Sequence, residues 1–261
     1  MRNFNYQFVF SSIGLILMIE SSFMLISAFV GEVYRESSVY SLYLSSLITF
    51  VSGLVLFLIG RKRRKEKRIS QREVYLTVTL VWVLMALYGT LPFLIGGAIP
   101  SFTDAFFESV CGFTTTGSST LINIEAFPKS LHFWRSFTQW IGGIGIIIFV
   151  MSFLPLFGGS SSHLYNAEAT GVSKEQLRLR VSDITRNMSI TYLGLTAVGF
   201  LLLWAGPMNA FDAACHAFTS ISTGGFSTKQ ASIAHFNSAY TEYVIIFLMF
   251  SGGIRFLLLF N

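Results

Sequence analysis

Apolar residues fall into six long runs, at 8–30, 37–60, 74–97, 136–157, 189–206 and 241–261, with polar stretches between them. A helix that crosses a bilayer needs about 20 consecutive apolar residues, with a range of roughly 17–25. The pattern therefore predicts an all-α integral membrane protein with six spans. The first run exceeds the roughly 7–15-residue apolar core of a signal peptide, and no small-x-small cleavage site follows it. It reads as a retained helix.

Two further apolar stretches are too short to cross. Phe102–Phe113 and Ala210–Ile221 each lie between two spans, within residues 98–135 and 207–240. Runs of this length are read as re-entrant segments. Each leads into small hydroxyl residues and glycine, Thr114-Thr115-Thr116-Gly117-Ser118 and Ser222-Thr223-Gly224-Gly225-Phe226. The two stretches align without gaps at an offset of 108, with six of seventeen positions identical between 104–120 and 212–228. The identities are Asp104/Asp212, Ala105/Ala213, Thr115/Thr223, Gly117/Gly225, Ser119/Ser227 and Thr120/Thr228. Downstream, Ile141-Gly142-Gly143-Ile144 resembles Ser251-Gly252-Gly253-Ile254. The unit of outer helix, short re-entrant helix, Thr/Ser/Gly loop and inner helix thus occurs twice.

The resulting organisation is two N-terminal transmembrane helices with a basic cytoplasmic loop (1–72), a first pore repeat (73–157), a cytoplasmic connector (158–186) and a second, truncated pore repeat (187–261).

Composition agrees. The chain is 52% hydrophobic and 12% charged, against roughly 25% charged in soluble domains. The net charge of +5 does not imply nucleic acid, because of where the charge sits. Arg61-Lys62-Arg63-Arg64-Lys65-Glu66-Lys67-Arg68, with Arg72 close behind, directly follows the second run. Short loops rich in Lys and Arg stay in the cytoplasm. Alternation of spans then places the N-terminus and residues 158–186 inside as well, the latter carrying Lys174, Arg178, Arg180 and Arg186. Thirteen basic residues fall inside and four outside, the four being Arg35, Lys129, Arg135 and Lys229. Cys111 and Cys215 stand in apolar surroundings without a CxxC or Cys/His spacing, and read as small buried side chains.

The loops offer carbonyls and hydroxyls and no charge. Irregular backbone at membrane depth is tolerated only where it is buried in protein or lines water, and carbonyl rings can replace the hydration shell of a potassium ion. Glycine permits the dihedrals such a loop needs. A short helix entering from outside turns its negative end toward the membrane centre, which favours a cation there. Asp104 and Asp212 stand at the opposite ends, where they can cap free N–H groups and match the dipole. Glu108 is read as tying its helix to its surroundings, with cation attraction at the mouth, shared with Glu125, as the other reading. Gly142, Gly143 and Gly145 read as close-packing positions.

Three segments carry a resemblance. Phe107-Glu108-Ser109-Val110-Cys111-Gly112-Phe113-Thr114-Thr115-Thr116-Gly117 resembles the first filter region of the TrkH/TrkG/KtrB potassium transporters. Trp134-Arg135-Ser136-Phe137-Thr138-Gln139-Trp140-Ile141-Gly142-Gly143-Ile144-Gly145 is similar to that family's helix after the filter, and His216 through Ser227 to its second filter region. The two extra N-terminal helices match the TrkH branch.

The resemblance implies potassium uptake across a bacterial cytoplasmic (inner) membrane. It implies a selectivity filter at Thr114, Thr115, Thr116, Gly117, Ser118, Ser222, Thr223, Gly224, Gly225 and Phe226. Potassium would be held by the backbone carbonyls of Thr115, Thr116, Thr223 and Gly224, and the key glycines are Gly117 and Gly225. A homodimer is expected, and the resemblance implies a TrkA-like cytoplasmic nucleotide-binding ring as partner, with residues 158–186 as one docking candidate. No cofactor and no enzymatic activity are expected of this chain: Asp212, Cys215 and His216 lie close together, but no second cluster completes a catalytic site.

The sequence departs from the family pattern in carrying two repeats where the family has four. Either it is a fragment that conducts only with the missing repeats, or an accessory subunit, or two copies pair. Arg255, after Gly252-Gly253-Ile254, is a gate candidate or a snorkelling cation. Glu20, in the middle of the first run, raises the same question of what a charge does at that depth.

Overall fold

The computed structural model describes residues 4–61, 71–157 and 174–253. It is all-helical, with no strand among the described residues. The elements are α1 (Tyr6–Val33), α2 (Val39–Arg61), α3 (Gln71–Gly89), α4 (Leu91–Ile95), α5 (Phe102–Phe113), α6 (Lys129–Phe157), α7 (Lys174–Ala205), α8 (Ala210–Ile221), a 3-10 turn at Ser232–Phe236, and α9 (Ala239–Gly253). Among the described residues, four helical stretches are long and apolar enough to cross a membrane by length and composition: Tyr6–Val33, Val39–Arg61, Gln71–Ile95 and Thr185–Ala205. The spans expected at 136–157 and 241–261 fall on α6 and α9. Residues 62–70, which hold most of the basic run, and 254–261, which hold Arg255, lie outside the described residues. So do residues 158–173 of the expected connector.

The helices bury small and polar residues beside apolar ones such as Leu17 and Met24. The buried face of α1 includes Gly14, Glu20, Ser21, Ser27, Ala28 and Gly31, while Phe29, Tyr40 and Phe250 are about two-thirds exposed. Many large apolar side chains are left on the outer surface and small residues stand where helices meet, because in a bilayer tight packing rather than hydrophobicity drives association. α1 and α2 show this directly. A methyl group at Gly14 would strike the Gly53 carbonyl and the Phe57 backbone, and one at Gly60 would strike the backbone of Ser11. Hydroxyls at this interface are satisfied within the pair: Ser45 donates to the Ser41 carbonyl (2.6 Å) and Ser46 to the Ser21 carbonyl of the other helix (2.9 Å).

Pro92 ends the regular path of α3. Phe93 N–H donates to Thr90 instead of continuing the ladder to Gly89, as expected where a proline interrupts a helix. The Gly89 carbonyl is taken up by Trp134 Nε1 of α6 at 3.0 Å. α5 is thereby cradled between α3 and α6, and α8 among α6, α7 and α9. The short helices span Phe102–Phe113 and Ala210–Ile221, the same bounds as the apolar stretches read from sequence. α7 begins at Lys174, so helix extends well ahead of the apolar run that starts at 189. The apolar signal fades in its first turns because Lys174, Arg178 and Arg180 break it.

The N-terminal hairpin is fastened to the first repeat by Glu36, in the α1–α2 turn. Its carboxylate accepts from the N–H groups of Lys129 (2.7 Å) and Ser130 (2.9 Å), the first residues of α6. An anion on a helix N-terminus is stabilised by the free N–H groups and the dipole. Partial burial opposes the charge of Glu36, yet the N–H groups of Ser130 and Lys129 and the hydroxyls of Ser130 and Ser38 outweigh it and hold the carboxyl below its usual value. Such a group stabilises the fold above its unfolded pKa, about 4.3, and loses that contribution as pH falls through the lower folded value. Glu36→Gln should therefore lower the unfolding temperature of the detergent-solubilised protein at pH 7. The gap from wild type should narrow once the pH is taken below about 4.

Candidate functional site

The segments after α5 and α8 are built alike. N–H groups of Thr114, Thr115, Thr116 and Gly117 return to the helix end, on the carbonyls of Val110, Gly112, Cys111 and Cys111. Those of Ser222, Thr223, Gly224 and Gly225 return to Phe218, Ser220, Thr219 and Thr219 in the same pattern at the same offset. Thr115 and Thr223 both sit at φ 54°, and Gly117 and Gly225 at φ 78° and 84°. Left-handed backbone at consecutive alternate positions is what glycine supplies cheaply and threonine does not, and here both segments adopt it. Because the peptide is planar and trans, committing an N–H to the helix end turns the preceding carbonyl away from it. Among the described residues, no hydrogen bond ends on a carbonyl oxygen of 114–118 or 222–226. All ten residues predicted for the filter lie in these two segments.

Helix starts repeat as well. Ser101 and Asn209, 108 apart, each accept from the N–H three residues on, that of Asp104 and that of Asp212. The caps are these residues, not the aspartates; Asp104 and Asp212 instead occupy the first turn, where their charge matches the dipole. The spacing Ser-x-x-Asp and Asn-x-x-Asp was a readable signal for this. Asp212 does more: it accepts from the Thr228 hydroxyl (2.6 Å) and Asn209 Nδ2 (2.8 Å) and lies 3.5 Å from Lys229 Nζ.

The inner helices close on the ends of the short ones. A methyl at Gly142 of α6 would collide with the Phe113 carbonyl, and one at Gly252 of α9 with the Ile221 carbonyl. These glycines are close-packing positions in both repeats. Gly117 has a second reason to be glycine, since the Gly224 carbonyl oxygen occupies the place of a Cβ. Gly224 leaves no room either, because the Gln139 amide lies against it. This explains why the second segment has glycine where the first has Thr116.

Arg135, an outer charge and a member of the motif after the first filter, is fully buried. It is ion-paired through Nε with Glu108 of α5. Its Nη1 donates to the Ser227 carbonyl (3.0 Å), and the guanidinium stacks 3.6 Å over the Phe226 ring. Glu108 also accepts from the Ser119 hydroxyl (2.9 Å) and the Thr120 N–H (3.0 Å). One pair thus joins α5, the chain after the first segment, α6 and the second segment. An arginine at the start of an apolar helix was the available signal. The matching position to Glu108 is His216, whose Nδ1 donates to the Asp212 carbonyl (2.8 Å). Its Nε2 accepts from the Ser227 hydroxyl (3.0 Å), the tautomer being fixed because a carbonyl can only accept. Cys111 and Cys215 are free and buried, and no group of three metal-ligating side chains occurs among the described residues. Glu20 is almost wholly enclosed beside Gly89, and neither carboxyl oxygen has a hydrogen-bond partner. Glu125 is tied to the second outer loop by the Gln230 N–H at 3.5 Å.

Removing one partner of a buried pair strands the other charge, at a cost of roughly 3–5 kcal/mol. Arg135→Met should therefore lower the unfolding temperature sharply. Adding Glu108→Gln, which keeps an acceptor for Thr120 without the charge, should recover part of it. Thermal unfolding in detergent of the single and double variants reads this out.

The TrkH family profile, described as a cation transport protein, matches residues 44–261. Over 253 residues the chain is 36% identical to the Trk system potassium uptake protein TrkH of Escherichia coli K12, covering 95% of this chain and 52% of that protein. It is 32% identical over 235 residues to the Trk system potassium uptake protein TrkG of the same organism, covering 88% and 48%. The crystal structure of the potassium transporter TrkH from Vibrio parahaemolyticus superposes with a TM-score of 0.83 at 30% identity, covering 98% of this chain and 51% of that one. The chain spans about half the length of the curated relatives it matches. It is an all-α integral membrane protein, its homologues are transporters rather than enzymes, and it belongs to the TrkH family of cation transport proteins.

Proposed function

We propose that this chain forms part of a potassium uptake pore of the cytoplasmic membrane, contributing two filter segments at 114–118 and 222–226. The observation that carries the reading is the double row of unclaimed carbonyls. Two segments of identical backbone design direct their N–H groups to a helix end and leave their carbonyls without partners. Thr114, Thr116, Ser118, Thr223 and Gly225 are exposed, and irregular backbone at membrane depth that is open in this way needs water or an ion as its partner. A dehydrated cation is the partner that fits, because carbonyl oxygens can substitute for its hydration shell. The carbonyls of Thr115, Thr116, Thr223 and Gly224 are the proposed ligands, with potassium as the transported ion. The relatives' names, potassium uptake proteins, support the choice of ion. An inside-negative potential drives such entry with about 2.3 kcal/mol per charge per 100 mV.

The same reading takes the N-terminus as cytoplasmic and the pore as part of a dimer that a TrkA-like nucleotide-binding ring regulates. A second reading, that this chain conducts only together with further filter segments, is favoured by one observation. Gly225 has open space where a Cβ would stand, while Gly117 is enclosed by the neighbouring segment.

Rubidium uptake by potassium-starved cells tests both. In the complete gene product, Gly117→Asp and Gly225→Asp should each abolish uptake while leaving the amount of inserted protein unchanged. Normal uptake in both variants would refute the filter assignment. Uptake by the 261-residue chain expressed alone would refute the second reading.

A further inference from the structure

Gln139 of α6 lies against both segments. It is completely buried, between Thr138, which lies against Gly112, and Gly142, which lies against the Phe113 carbonyl. Its Oε1 accepts from the Phe226 N–H at 3.1 Å. That bond fixes the amide's orientation and turns Nε2 the other way. Nε2 has no hydrogen-bond partner. It stands 3.7 Å from where a Gly117 Cβ would be, and the amide fills the space a Gly224 side chain would need. The Gly224 carbonyl lies against Gly117. An uncommitted N–H donor is therefore held beside the point where the two segments meet. Buried polar groups are normally paired, so a donor left open in a packed site is a feature to be explained. The second repeat has no counterpart: the glycine match Gly142/Gly252 places Met249 at the equivalent position, and it is about half exposed.

We propose that Gln139 is a positioning residue that sets how the two segments discriminate among alkali cations, a proposal that rests on the pore reading above. Discrimination by carbonyls depends on their spacing or on their field strength, and Gln139 acts on both. Its Oε1 anchors the second segment through Phe226. Its Nε2 places the positive end of an amide dipole beside carbonyls that would otherwise face the ion alone. A smaller cation draws carbonyls inward, and the anchor resists that movement.

The test compares rubidium and sodium uptake in the complete gene product carrying Gln139→Met or Gln139→Glu, with Gly117→Asp as control. Methionine keeps the volume and removes both hydrogen-bonding groups. Glutamate keeps the acceptor for Phe226 and removes the donor. Both variants should reach the membrane and conduct, with the rubidium-to-sodium ratio shifted roughly three- to tenfold, the scale of one hydrogen bond. A ratio within about twofold of wild type in both variants, alongside loss of flux in Gly117→Asp, would overturn the role of Gln139 and leave the pore intact. Flux retained in Gly117→Asp would instead remove the pore reading itself. If only the methionine variant fails to accumulate, the glutamate variant decides. Failure of both to accumulate marks Gln139 as a folding residue and overturns the proposal.

Discussion

Backbone that leaves a helix among membrane-spanning neighbours has no water to satisfy it, and this constraint organises both repeats. The solution is the same each time. Four successive N–H groups fold back onto the final turn of a twelve-residue helix, which closes the helix end and fixes the loop in one stroke. The inner helix then needs a glycine to approach the last carbonyl of that helix, at Gly142 and again at Gly252. Removing that glycine would push the inner helix off the loop it backs. Close packing and loop geometry are therefore one requirement, met twice.

Around this frame lie the ties that hold the repeats together. Glu36 grips the start of α6 from the N-terminal hairpin. Trp134 takes the carbonyl that the proline break in α3–α4 leaves open. Arg135 reaches from α6 to Glu108 on one side and to the chain around Phe226 on the other. All three converge on the first turns of α6, which makes that end of the helix the joint of the assembly.

Much of this was legible in the chain. The short, moderately apolar stretches carry the limits of α5 and α8, because polar residues bound each: Ser101 and Thr114 the one, Asn209 and Ser222 the other. The duplication gave the equivalence of the two loops, since Thr115/Thr223 and Gly117/Gly225 mark the same left-handed backbone. What stayed hidden depends on contacts between distant positions. Arg135 stands out only as an arginine at the start of an apolar helix, and that signal does not name Glu108 or Phe226 as its partners. Gln139 stands in the motif after the first filter, but its role is not legible there, since the group it bonds is 87 residues away in Phe226. Position at a helix start suggests the aspartates as caps, whereas the Ser-x-x-Asp and Asn-x-x-Asp spacing points to Ser101 and Asn209, which perform the capping. The start of α7 was missed because charged residues erased the apolar pattern without ending the helix.

The contrast between Thr116 and Gly224 has a consequence for how the two halves can drift apart over time. Both positions share one backbone, yet only the second is crowded by a side chain from the preceding inner helix. Each position answers to a different neighbour. The repeats therefore have an order, and a segment transplanted from one place to the other would arrive with the right shape and the wrong surroundings.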